Sequence, residues 1–145
     1  MNRVSPQPLK DYETLLASNI SVYPVVCQMQ VSPFMYRPDI IQFFQKRNIL
    51  VESHKSLNRG ERISDSIIDT ISKKYNKSHA QIMIRWGIQK SLCVICKTSF
   101  KERMIENRNV VDFLLSDEDM QTLDHLTTKE EIQTRKEHEF KSRLI

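Results

Sequence analysis

Cysteine is sparse in this 145-residue chain, with three residues at Cys27, Cys93 and Cys96. The count is odd, and the N-terminal "MNRVSPQPLK" lacks the apolar core of a secretory leader. Together these exclude a disulfide framework and point to a reducing compartment, so a cytoplasmic location is expected. Cys93 and Cys96 form a C-x-x-C pair, but no second Cys or His pair accompanies it to complete a zinc site. On a strand the two thiols would also face opposite ways. No apolar run approaches the ~18 residues of a membrane span, so no membrane partner is expected. The ending "SRLI" is not a peroxisomal address. Internal repeats and low-complexity blocks are absent. No basic-aromatic pattern is present either, and nucleic acid is not an expected partner.

What is present is an ordinary globular composition: 39% apolar and 28% charged residues, with 22 Lys+Arg against 18 Asp+Glu for a net charge of +4. The charges are interspersed, as on a solvated surface. The length fits one domain of the usual ~100–200 residues. The sequence divides it at residues 1–127, the folded part, and 128–145, a highly charged tail that reads as a frayed helix.

Short apolar runs alternate with helical periodicity. "PLKDYETLLAS" has Leu9, Tyr12, Leu15 and Leu16 at helical spacing behind Pro8. "VYPVVCQMQV" is a β-branched run and reads as a buried strand. "RPDIIQFFQKRN" is a helix opened by Pro38, and "ILVESH" a second buried strand. After a polar loop, "KSLNRGERISD", comes a helix capped by Ser64 or Asp65. The next helix has Ser78 as N-cap and Gln81 three residues on, a capping box. "LCVICK" is a third strand, "SFKERMIENR" a helix behind it, and "SDEDMQTLDHL" a helix opened by Ser116 and acidic residues. Strands separated by helices predict parallel β-α units and an α/β fold.

The stretch "CVICKTSFKERMIEN" carries the chemistry. Side chains at the C-terminal end of a parallel strand point into the crevice where α/β proteins bind ligands. Lys97, Thr98 and the first turn of the next helix make an anion site there. With a helix starting near Ser99, Arg103 lies one turn in and can close on the same anion. Glu106 and Asn107 follow near the same face and offer an acceptor and a donor to a polar ring. The spacing alone also fits an ordinary polar helix start. Elsewhere, His79 and His125 read as surface or capping residues. Arg85 and Trp86 read as packing residues with an internal ion pair, and the lone His of "KEHEFK" has no metal-ligand spacing.

"VICKTSFKERMIEN" resembles the C-terminal signature of aldo-keto reductases, in which a Lys-Ser/Thr…Arg…Glu-Asn pattern binds the adenosine 2′-phosphate end of NADP. The resemblance runs from Val4 to about Leu126. "VYPVVCQMQVSPF" is similar to the family's "P-V-x-N-Q-x-E-x-H-P-Y" strand, and "ILVESHKSL" to "I-x-V-x-A-Y-S-P-L". "SHAQIMIRW" is similar to "T-x-A-Q-V-x-L-R-W", and "VVDFLLSDEDM" to "F-D-F-x-L-S-x-E-x-M". The resemblance implies the second half of a (β/α)8 barrel, beginning at the loop after the fifth strand, with the cofactor at the C-terminal face. It implies that Lys97, Thr98, Arg103, Glu106 and Asn107 hold the 2′-phosphate and adenine. It also implies Gln28 and Ser5 at the nicotinamide carboxamide and His54 stacked on the nicotinamide ring.

Four positions depart from the family pattern: Pro6 and Cys27 for Asn, Lys55 for Ser, and Ser56 for Pro. The family's general-acid Tyr, its Lys and Asp, and its active-site His align with no residue of this chain, so no catalytic residue is assigned. Three readings follow. In the first the chain is a truncated NADP-binding relative, weak or vestigial in cofactor binding, that does not reduce carbonyls alone. In the second it is a non-catalytic half-barrel that pairs with itself or with another half. In the third it becomes an active reductase of small-molecule carbonyls once a separate half completes it.

Overall fold

The computed structural model describes residues 3–4 and 9–134. Four parallel strands form one sheet in sequential order: β1 Arg3–Val4, β2 Val26–Gln30, β3 Leu50–His54 and β4 Cys93–Val94. Helices fill the crossovers that parallel pairing requires: α1 Leu9–Ala17, α2 Pro38–Gln45, α3 Ser66–Tyr75 and α4 His79–Gln89. α5 Lys101–Arg108 and α6 Asp117–Asp124 follow β4. Consecutive β/α units laid side by side are the α/β arrangement of part of a (β/α)8 barrel, as expected from the sequence.

The sheet differs from the expected three strands by β1, whose two residues form no apolar run that pattern reading could detect. The buried runs also shorten. Only Val26–Gln30 of the first and Cys93–Val94 of the third make ladder pairs. Within β2 the side chains alternate, so Cys27, Met29 and Val31 are fully buried while Gln28 and Gln30 are half-buried. β3 repeats this, with Val51 and Ser53 buried and Glu52 and His54 half-buried. Ile41, Phe44, Ile68, Ile71, Ile82, Met83, Trp86 and Leu123 from the helices join the buried strand residues in one core. The other face of the sheet carries Gln28, Gln30, Glu52 and His54, with the apolar pair Val26 and Leu50 at its start.

Helix starts match the sequence reading where a side chain does the capping. Asp65, of the two candidates, accepts from the Ile67 N–H. Ser78 and Gln81 form the full capping box of α4, and Ser116 caps α6. α5 starts two residues later than expected, at Lys101, because Thr98 Oγ1 accepts from the Phe100 N–H at 3.1 Å and holds that stretch as a turn. Residues 129–134 of the charged tail are helical.

Arg85 corrects one expectation. It makes no ion pair among the described residues but donates to Gln89 Oε1 at 3.1 Å and to the Val110 carbonyl at 3.2 Å. The ionic contact falls to its neighbours: Trp86 Nε1 donates to Asp124 at 2.8 Å, and Lys90 pairs with the other oxygen of the same carboxylate at 2.6 Å.

Candidate nucleotide site at the strand ends

The C-terminal ends of β3 and β4 open into a cavity of about 880 Å³. Its wall is built from three places: the turn after β3, the first residues of α4, and the segment from Ile95 into α5. The turn is fixed by buried hydroxyls. Ser53 Oγ donates to the Val31 carbonyl at 2.8 Å, and Ser56 Oγ lies 2.7 Å from Ser53 Oγ and reaches the Ile95 carbonyl at 3.2 Å. The Ile95 N–H donates back to the Ser53 carbonyl at 3.0 Å, which extends the ladder past β4. Ser56 thus ties the two strand ends together with a side-chain hydroxyl.

The far side is set by Gln81, a buried residue of α4. Its Oε1 accepts from the Ser78 N–H at 3.0 Å, and its Nε2 donates to the carbonyls of Glu106 at 3.2 Å and Asn109 at 2.8 Å. One amide therefore joins the start of α4 to the end of α5. α5 has no buried side chain of its own, so this attachment fixes where Glu106 and Asn107 stand.

Six of the eight site residues expected from the sequence line this cavity: His54, Lys97, Thr98, Arg103, Glu106 and Asn107. The Arg103 guanidinium lies 4.9 Å from the Phe100 ring centroid, a cation–π contact that holds it at the start of α5. Gln28 lies apart, on the sheet face opposite the core, where its amide donates to the Glu52 carboxylate of its register partner on β3. Ser5 lies outside the described residues, as does Pro6.

The structure adds residues that the sequence reading passed over. Lys55, Arg59 and His79 also line the cavity. Arg59 sits in a short 3-10 turn, Asn58–Gly60, in which Asn58 (φ 48°), Arg59 (φ 57°) and Gly60 (φ 84°) are all left-handed. Glycine, and to a lesser degree asparagine, adopts that conformation readily, which leaves Arg59 as the strained residue of the turn. Sequence periodicity carries no signal for such a turn. Cys96 is a wall residue as well, and burial pushes its thiol up to about 11, so it stays a neutral S–H near neutral pH.

The electrostatic balance is one-sided. Lys55, Arg59, Lys97 and Arg103 face a single carboxylate, Glu106. Lys97 and Arg103 make no salt bridge among the described residues. A cavity ringed by cations, with a helix N-terminus in its wall, is suited to a ligand with several negative charges.

No family model matches the chain. An uncharacterized oxidoreductase of Schizosaccharomyces pombe is 37% identical over 120 residues, covering 83% of this chain and 42% of the relative. The NADP-dependent D-sorbitol-6-phosphate dehydrogenase of Malus domestica is 35% identical over 129 residues, again 42% of its length. Among solved structures, a Gox0644 mutant in complex with NADPH superposes with a TM-score of 0.81 at 33% identity, covering 88% of this chain and 46% of that one. An aldo-keto reductase from a deep-sea metagenome library gives a TM-score of 0.75 at 30% identity, covering 79% of this chain and 43% of that one. The chain thus spans less than half the length of the proteins it matches. Within that span its sequence and its fold make it a member of the aldo-keto reductase family.

Proposed function

We propose that this chain binds NADP through its phosphate-bearing adenosine end and belongs to the NADP-dependent oxidoreductases. The observation that carries this reading is the convergence of Lys97, Thr98, Arg103, Glu106 and Asn107 on one cation-rich cavity. The donor set fits the cofactor. Lys97 and Arg103 hold the 2′-phosphate, Arg103 with a planar fork suited to two phosphate oxygens. The Thr98 hydroxyl adds a further donor. Glu106 and Asn107 supply an acceptor and a donor to the adenine edge. His54, at the end of β3, would stack on the nicotinamide ring. NADPH, when bound, supplies the hydride for carbonyl reduction.

A carbonyl that accepts a hydride also needs a proton donor at its oxygen. Among the described residues no tyrosine lines the cavity. Tyr12 is buried edge-on against Phe43 and Phe44, Tyr36 packs on Trp86, and Tyr75 donates to Asp119. In this reading the described residues hold the nucleotide, and a tyrosine acid for a small-molecule carbonyl would come from residues beyond them. Among the described residues β1 and β4 each pair on one side only. A complementary set of β/α units, from a longer chain or from a second one, would pair with those edges and bring the donor.

The test uses the 145-residue chain. NADP binding measured by calorimetry is expected without measurable NADPH oxidation in the presence of aromatic or aliphatic aldehydes. Turnover that co-purifies with the intact chain would overturn the division of labour. Absence of any nucleotide binding would favour the non-catalytic half-barrel.

A further inference from the structure

His79 lies in the cavity wall beside Ser78 and Ala80, at the first position of the 11-residue helix α4. The first turn of a helix carries N–H groups without intrahelical partners and a partial positive charge. On its other side, His79 Nε2 stands 3.2 Å from Asp69 Oδ1 of α3, and the side chain is 29% exposed. The second oxygen of Asp69 accepts from Lys73 at 2.6 Å. The residue therefore contacts a carboxylate on one side and lines the cation-rich cavity on the other.

We propose that His79 is a nucleotide-binding residue that takes up a proton as the phosphate-bearing ligand enters, so that affinity rises as pH falls. The inference rests on the NADP reading of this cavity. The charged groups of the cavity wall and of α3 explain the coupling. Lys55 and Arg59 from the turn after β3, Lys97 after β4 and Arg103 on α5 all oppose a further cation in the unliganded cavity. Lys73, sharing Asp69, opposes it too. Asp69 behind the ring and Glu106 across the cavity favour it. A bound phosphate offsets the four cations, and the balance then turns toward the imidazolium. Imidazole is the side chain whose charge ordinarily changes between about pH 5 and 8. Coupling between proton and ligand is reciprocal: the ligand raises proton affinity by the factor by which the proton raises ligand affinity. His54, the second imidazole in the wall, lies on β3 and is not held by Asp69 in this way.

The experiment titrates the full chain with 2′,5′-ADP at pH 6, 7 and 8 in two buffers of different ionisation heat. The wild type is expected to take up protons on binding. His79→Gln, which keeps a hydrogen-bonding group toward Asp69, is expected to take up fewer. Between pH 8 and 6 the wild-type affinity should gain about fivefold or more over that of His79→Gln, the low end of such couplings. A ring-proton NMR titration of His79 in the wild type covers the case of a poorly folded variant, and its midpoint should move up when 2′,5′-ADP is added. Binding with equal proton uptake in both chains, or an unmoved His79 midpoint, overturns the proposal and leaves the NADP reading standing. No binding of 2′,5′-ADP at any pH, with the chain folded, overturns both.

Discussion

Gln81 Nε2 on α4 donates to the backbone carbonyl of Glu106 on α5 at 3.2 Å, and the same amide closes the capping box with Ser78. A residue outside the cavity lining thus sets the spacing between two walls of the cavity. Replacing it with leucine leaves the Ser78 N–H and the carbonyls of Glu106 and Asn109 without this partner. The Glu106 carbonyl keeps the Asn109 N–H and Asn109 is exposed, so each lost hydrogen bond costs about 0.5–1.5 kcal/mol. Gln81→Leu should lower the midpoint of thermal unfolding and also weaken nucleotide binding at temperatures where the chain is still folded. Unchanged binding by calorimetry would show that α5 is positioned by other means.

Gly87 makes the close approach between α4 and the edge strand. A methyl group on its Cα would stand 2.8 Å from Val94 Cγ2. Val94 is β-branched and stiff at χ1, so it has little room to turn aside. Gly87→Ala gains about 1 kcal/mol of helix propensity but incurs an overpacking cost of about 1–3 kcal/mol. The expected result is a net loss of stability on thermal unfolding, with β4 the element displaced. A stabilised variant would contradict the close packing.

Asp119 gives the chain a pH dependence with a fixed sign. Burial pushes its carboxyl up, but hydrogen bonds from Lys74, Tyr75 and Ser116 outweigh this and hold it below its ordinary value. All three converge on Oδ2, at 2.7, 2.6 and 2.8 Å. A carboxylate whose folded value is depressed contributes stability fully above its unfolded value, and that stability is lost as pH falls through the folded one. Denaturant unfolding should therefore find Asp119→Asn less stable than wild type at neutral pH. The gap should close on acidification below the usual carboxylate range. A gap that stays constant down to that pH would show that the network is worth the same with a neutral partner.

Much of this arrangement was legible in the sequence, and the limits have physical causes. Ser78 with Gln81, Ser116 and Asp65 announce helix starts because a short side chain must satisfy orphan N–H groups there. The Lys97 to Asn107 pattern reads as an anion site because one helical turn brings Arg103 back to the strand end, and these residues do line one cavity. β1 escaped because two residues carry no periodicity. The α5 start was misplaced because Thr98 turns its hydroxyl to the Phe100 N–H, a local contact that competes with the helix. Arg59 and His79 were missed as site residues because loop conformation and tertiary packing bring them to the cavity. Nothing in the spacing links position 59 or 79 to position 97. Gln28 was carried to the site by resemblance alone, and on the sheet its amide donates to Glu52.

The central claim is that Lys97 and Arg103 grip a 2′-phosphate, and parallel titrations of the chain with NADP and NAD test it most directly. NADP should bind more tightly, by tenfold or more, since a hydrogen bond to a charged group contributes about 1.5–3 kcal/mol. The Lys97→Ala, Arg103→Ala double variant should lose that preference while its thermal unfolding stays near wild type. Equal affinity of the wild-type chain for NADP and NAD would contradict the account.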